Sequence, residues 1–190
     1  MKSVLISIKP KWCELIANGK KTIELRKTSP KLETPFKCYI YCTKPNERLI
    51  EIIKDGDENY GEIYHGKPIF IKTTEGSVCD MYGKRQKVIG EFVCDNIECV
   101  DIPYPAFQAE LDKRYIEQSC CSYWQLHRYF YHDNAYFWHI SDLVIYDKPR
   151  ELSEFRRWVD RSKGQIYRED MLFLQRPPQS WCYVEECEIL

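Results

Sequence analysis

No two of the ten cysteines are separated by two residues, the spacing that zinc ribbons and dithiol redox motifs require. His65, His127, His132 and His139 form no HExxH-type group, so neither a metal nor a cofactor is expected. Long apolar runs are missing, and no segment reaches the length of a membrane span. The opening Met-Lys-Ser-Val leads straight into a strand pattern, so no signal peptide is expected. A cytoplasmic location and reduced cysteines fit that reading. An excess of one charge is also absent: 28 basic residues stand against 29 acidic ones, a net charge of −1. A global basic footprint for nucleic acid is thereby excluded, and any such binding must come from a local patch. No internal repeat or low-complexity segment is present.

The chain does have the material for one core. Its 190 residues are 44% hydrophobic and 14% aromatic, which fits a single domain over 1–190 with insertions near 44–67 and 103–134. Cys38, Cys42, Cys94, Cys99, Cys182 and Cys187 fall inside strand-like segments, where cysteine packs as a small apolar residue. Cys120 and Cys121 are adjacent in a helical region, and their role is not legible. Charge is concentrated in residues 9–31, where seven basic side chains face two acidic ones, a local net of +5.

Ser3–Lys9 alternates Val4, Ile6 and Ile8 against Leu5, Ser7 and Lys9, the pattern of a strand with one strongly apolar face. Pro10 suits a first helical turn, and Gly19 a helix stop. Trp12, Leu15 and Ile16 form the stripe between them, which assigns Trp12 to the core. The short connection requires this strand and the next, 21–27, to lie close together. Strands are expected over 36–43, 69–72, 135–147 and 181–189. Lys87 to Ile102 reads as one long or bent strand, with Gly90 at a bend or close approach. Helices are expected over 47–54, 106–118, 122–131 (capped by Ser122) and 152–161. The order lacks a regular βαβ rhythm. It points to a mainly β fold with flanking helices, α+β in appearance, and a curling sheet suggests a mixed β-barrel.

The stretch 19–27 carries the densest chemistry. Lys21, Ile23 and Leu25 share one strand parity, and Thr22, Glu24 and Arg26 the other. Lys21 is therefore aligned with core residues. Desolvation there would draw it toward neutrality and toward work as a base or nucleophile. The plainer account is a lysine snorkelling to water. Glu24 and Arg26 can pair on one face without a ligand. Lys21 and Lys9 together call for an anion between them. His139 reads as a satisfied core histidine. Gln179, Ser180 and Trp181 read either as a base-reading edge beside a stacking ring or as a strand end with a packed indole. Arg156, Arg157, Arg161 and Lys163 add positive charge near the C-terminus; a solvated face is the usual meaning of such a run.

Residues 7–27, Ser-Ile-Lys-Pro-Lys-Trp-Cys-Glu-Leu-Ile-Ala-Asn-Gly-Lys-Lys-Thr-Ile-Glu-Leu-Arg-Lys, resemble the start of the ASCH domain, a branch of the PUA-like superfamily. Val88-Ile-Gly-Glu-Phe, Trp138-His-Ile-Ser-Asp-Leu and Pro178-Gln-Ser-Trp-Cys-Tyr-Val resemble its later parts. The resemblance implies a PUA-like β-barrel with flanking helices and an RNA-binding or RNA-modifying role. One ASCH branch is an amidohydrolase that deacetylates N4-acetylcytidine with a lysine, a threonine three residues on, and a remote glutamate. Lys21 matches the lysine, Glu24 replaces the threonine, and Glu91 is the candidate for the remote carboxylate. Thr22 is one residue out of register.

Three expectations follow. The first is RNA or nucleotide binding in a cleft beside 21–27, using Lys9, Lys21, Thr22, Glu24, Arg26, Gln179, Ser180 and Trp181. The second is hydrolysis of a modified nucleoside or similar amide, with Lys21 as base or nucleophile and Glu24 or Glu91 as its partner. The third is a non-catalytic protein-interaction module.

Overall fold

The computed structural model describes residues 1–43, 86–131, 133–164 and 167–187. The helix expected over 47–54, the strand over 69–72 and the insertion near 44–67 lie outside them. Eight strands are described: β1 (Lys2–Ile8), β2 (Ile23–Arg26), β3 (Phe36–Cys42), β4 (Val88–Cys94), β5 (Ile97–Val100), β6 (Ala135–His139), β7 (Ser141–Arg150) and β8 (Trp181–Glu185). The α-helices are α1 (Pro10–Ala17), α2 (Lys113–Ser119) and α3 (Tyr123–Phe130).

β1 runs between β3, to which it is parallel, and β8, and it is buried on both faces from Ser3 to Ile8 because the two faces pack into different core clusters. Val4, Ile6 and Ile8 join Cys38, Ile40, Phe92 and Trp138 in one core cluster. Leu5 points the other way, onto Tyr39, Tyr41 and Phe155. The five-stranded sheet has the order β7-β4-β3-β1-β8, and a three-stranded sheet has the order β2-β6-β5. In the smaller sheet Ile23, Leu25 and Phe137 face α2 and α3, meeting Tyr115, Leu126 and Phe130. Its other face carries Trp138, directly opposite Glu24 in register, into the core between the sheets.

The structure redraws several sequence expectations. β1 and β2 lie close, as the short connection requires, with Arg26 bonded to the Ser7 carbonyl, but they belong to different sheets. The run 87–102 is two strands, turning from one sheet to the other between Cys94 and Ile97. The run 135–147 breaks in the same way at Ile140, beside Asp142 in a positive-φ conformation (φ 44°). The ladder is not continuous across these corners, so the mixed β-barrel is not closed among the described residues. The α+β class stands.

Gly90 is a point of close approach. A Cβ there would lie 2.3 Å from the Val144 carbonyl oxygen, and the β3 and β7 registers both shift beside it. The helix expected over 106–118 is a 3-10 turn (Pro105–Glu110) followed by α2. The one over 152–161 is only a turn at Leu152–Glu154, after which Arg156 and Arg157 form β-bridges to Phe173 and Val184. α3 begins as expected, with a capping box between Ser122 and Gln125. His139 lies at a half-buried strand end rather than in the apolar core, its Nε2 2.6 Å from Glu98 Oε1. Among the described residues no helix is long and apolar enough to cross a membrane.

Candidate functional site

α1 ends by wrapping back on itself. Gly19 takes the left-handed conformation (φ 68°), and the amides of Lys20 and Lys21 both donate to the Leu15 carbonyl at 2.9 Å. This turn places Lys21 just ahead of β2 rather than within it. Strand parity therefore does not govern its side chain, which swings to the Glu24 side. Lys21 Nζ lies 3.5 Å from Glu24 Oε2 and donates to the Ser119 carbonyl at the end of α2, at 2.9 Å. Glu24 and Arg26 share a strand face, as alternation requires, and Arg26 Nη1 lies 3.0 Å from Glu24 Oε1. Arg26 Nη2 donates to the Ser7 carbonyl of β1 at 2.7 Å, which ties the two sheets together.

The three charged side chains are 2%, 5% and 10% exposed. Two cations and one carboxylate leave a net positive charge in a poorly hydrated place. Burying charge is tolerated only where it is paired and hydrogen-bonded. The pairing here is incomplete: Glu24 Oε2 and Arg26 Nε have no hydrogen-bond partner.

These groups line a cleft of about 570 Å³, a size suited to one small polar organic ligand. β1 ends in one wall with Ser7 and the exposed Lys9, and α1 adds Trp12. The loop before β8 contributes Gln179 and Ser180, held by Ser7, whose amide donates to the Ser180 carbonyl at 2.9 Å and whose Oγ donates to the Pro178 carbonyl at 2.7 Å. α3 adds Gln125 and Tyr129, one helical turn apart, to the lining. Lys21 Nζ lies 5.1 Å from the Trp12 ring centroid and Lys27 Nζ 5.4 Å from that of Tyr129, so each ring carries a cation beside it. Cys121 also lines the cleft. Burial pushes its thiol up, although the Lys21 charge pulls the other way, so the thiol form is favoured there.

Lys9, Lys21, Glu24, Arg26, Gln179 and Ser180 thus meet in one place. Three other expected site residues do not. Thr22 is exposed and outside the lining; its main chain is used instead, the amide donating to Gln118 and the carbonyl accepting from Ile140. Trp181 packs behind the wall on Trp138, at 5.9 Å between centroids, and its Nε1 donates to Thr28 Oγ1 at 3.0 Å. Glu91 sits on β4 beside Tyr39, where it meets Lys37 at 3.0 Å and accepts from the Tyr146 hydroxyl at 2.5 Å. Sequence reasoning missed Trp12, assigned to the core but half-buried in the cleft wall, and the α3 pair Gln125 and Tyr129. Only the density of charge around Trp12 hinted at its position, and nothing local marked the α3 pair.

No family model and no curated protein matches the sequence. Solved structures do. The crystal structure of ASCH from Zymomonas mobilis is 19% identical, with a TM-score of 0.54 over 97% of this chain and 88% of that one. A Tyr-to-Phe mutant of that protein gives a TM-score of 0.55 at 19% identity, over 98% and 92% of the two chains. A Ser-to-Ala mutant gives 0.55 at 19% identity, over 97% and 89%. At this identity the likeness speaks for the fold, and it spans nearly the whole chain. Two sheets joined at two corners, with α1 leading into β2, are the fold that this chain shares with the ASCH structure from Zymomonas mobilis.

Proposed function

We propose that the cleft beside β2 binds the nucleotide unit of an RNA or a free nucleotide. The observation that carries this reading is the buried Lys21–Glu24–Arg26 group, whose net positive charge lines a cleft that also has two aromatic rings. An anionic ligand offsets that charge, and Trp12 and Tyr129 supply apolar surface for a base. Lys9, exposed at the rim and without a partner among the described residues, is available to a phosphate. Gln179 and Gln125 supply polar groups at the edge.

Hydrolysis of a modified nucleoside draws less support. Lys21 Nζ already donates to Ser119 and pairs with Glu24, contacts that an ammonium makes, and Glu91 is not in the cleft. A protein-interaction module without a ligand leaves the buried charge unexplained.

The test is equilibrium binding of single-stranded RNA and of ribonucleoside monophosphates to the wild type and to Lys21→Ala. Affinity that falls with added salt, and falls again in the folded variant, supports the reading. Unchanged affinity in Lys21→Ala sinks it.

A further inference from the structure

α3 has a face that the cleft does not use. Helical spacing turns Gln125 and Tyr129 to the cleft and Leu126 and Phe130 to the core, and sends Trp124, His127 and Arg128 outward. Tyr131 follows at the C-terminus of the helix, and Tyr104 reaches the same place from the loop before the 3-10 turn. Trp124 is 61% exposed, Tyr131 62% and Tyr104 72%. All three pack edge-on around His127, with ring centroids 6.2, 5.9 and 6.4 Å from the imidazole. Rings so exposed keep flat surface open to a planar ligand.

The charge around these rings suits a polyanion. α3 has no acidic side chain, and Arg128 has no partner among the described residues. Just beyond the helix Asp133 is neutralised by Lys27, at 2.5 Å. The patch borders the cleft, because Arg128 lies one helical turn from Gln125 on the surface of α3.

We propose that Tyr104, Trp124, His127 and Tyr131 form a stacking ledge for the nucleotides that flank the one held in the cleft. The protein then takes a short single-stranded polynucleotide, with one unit in the cleft and its neighbours laid across α3. Base–aromatic stacking tolerates any sequence, because every base has a π face. Arg128 meets the phosphate between the two sites. The inference rests on the cleft being a nucleotide site.

The test compares ribonucleoside 5′-monophosphates with random-sequence oligoribonucleotides of up to about six units, measured with the wild type and with Trp124→Ala/Tyr131→Ala. Both substituted rings are exposed, so the variant should fold. The wild type is expected to gain about tenfold or more in affinity from monomer to oligomer. The double variant should lose that gain while binding monophosphates as the wild type does. A gain that persists in the double variant overturns the ledge. So does the absence of any gain in a wild type whose monophosphate binding is weakened by Lys21→Ala, and in that case the cleft reading survives. Binding of neither monophosphates nor oligoribonucleotides by the wild type sinks the cleft reading and the ledge with it. A dimer in sedimentation that the double variant dissolves, with the length dependence unchanged, makes the patch a self-association surface and also overturns the proposal.

Discussion

Lys21 Nζ lies 3.5 Å from Glu24 Oε2, and both side chains are almost closed off from water. The contact spans three residues, from the turn after α1 to the middle of β2. Arg26 extends it at 3.0 Å on the other carboxylate oxygen. One carboxylate therefore holds two buried cations in place.

Removing the carboxylate should cost more than removing a cation. Glu24→Ala leaves Lys21 and Arg26 facing each other unpaired, and breaking a buried pair from one side costs about 3–5 kcal/mol. Denaturant unfolding of Glu24→Ala against Lys21→Met checks this. Equal stability of the two variants would contradict the account.

Exposed Lys9 should contribute one phosphate contact and little to the fold. For single-stranded nucleic acid, each neutralised phosphate contributes about −0.7 to the slope of log affinity against log salt. Lys9→Ala is expected to make that slope shallower by roughly this amount, with thermal stability unchanged. An unaltered slope would remove Lys9 from the interface.

Glu98 should make the fold acid-sensitive. Partial burial opposes its ionisation, but hydrogen bonds from Tyr115 and His139 and the Arg114 charge prevail, and its carboxyl is held below the ordinary carboxylate range. A carboxyl with a lowered folded-state pKa contributes stability that is present above the unfolded pKa. The contribution is lost as pH falls through the folded one. Unfolding of the wild type and of Glu98→Gln should therefore differ at neutral pH and converge below the usual carboxylate pKa. A constant difference across that window would rule this out.

Gly90 should not accept a side chain. An alanine Cβ would meet the Val144 carbonyl oxygen at 2.3 Å, a contact with backbone that no rotamer relieves. Gly90→Ala is expected to destabilise by about 1–3 kcal/mol through strain between β4 and β7. A thermal midpoint equal to that of the wild type would show that the strands can separate there freely.

Local rules carried far in this chain. The apolar alternation of Val4, Ile6 and Ile8, the glycine stop after α1, the Ser122 cap and the common face of Glu24 and Arg26 are short-range facts, settled within a few residues by backbone geometry. They were readable because each depends only on neighbours in sequence. The corners at Cys94–Ile97 and at Ile140 were not, since both sides of each corner have the same strand-like composition. Only pairing to different sheets separates them.

The sequence by itself determined that residues 9–31 are locally basic, that Glu24 and Arg26 lie side by side, and that β1 and β3 are core strands. Tertiary structure decided that Lys21 and Glu24 are closed off from water against the end of α2, and that Thr22 stays outside the cleft. It alone brought Gln125 and Tyr129 across about a hundred residues of chain into one cleft with Trp12, and carried Glu91 to another part of the fold. The reason is physical. Alternation and capping are set by bonds within one segment. Which segments share a cleft is set by the order in which strands pair and helices cover apolar faces, and that order is fixed only when the whole core is buried at once.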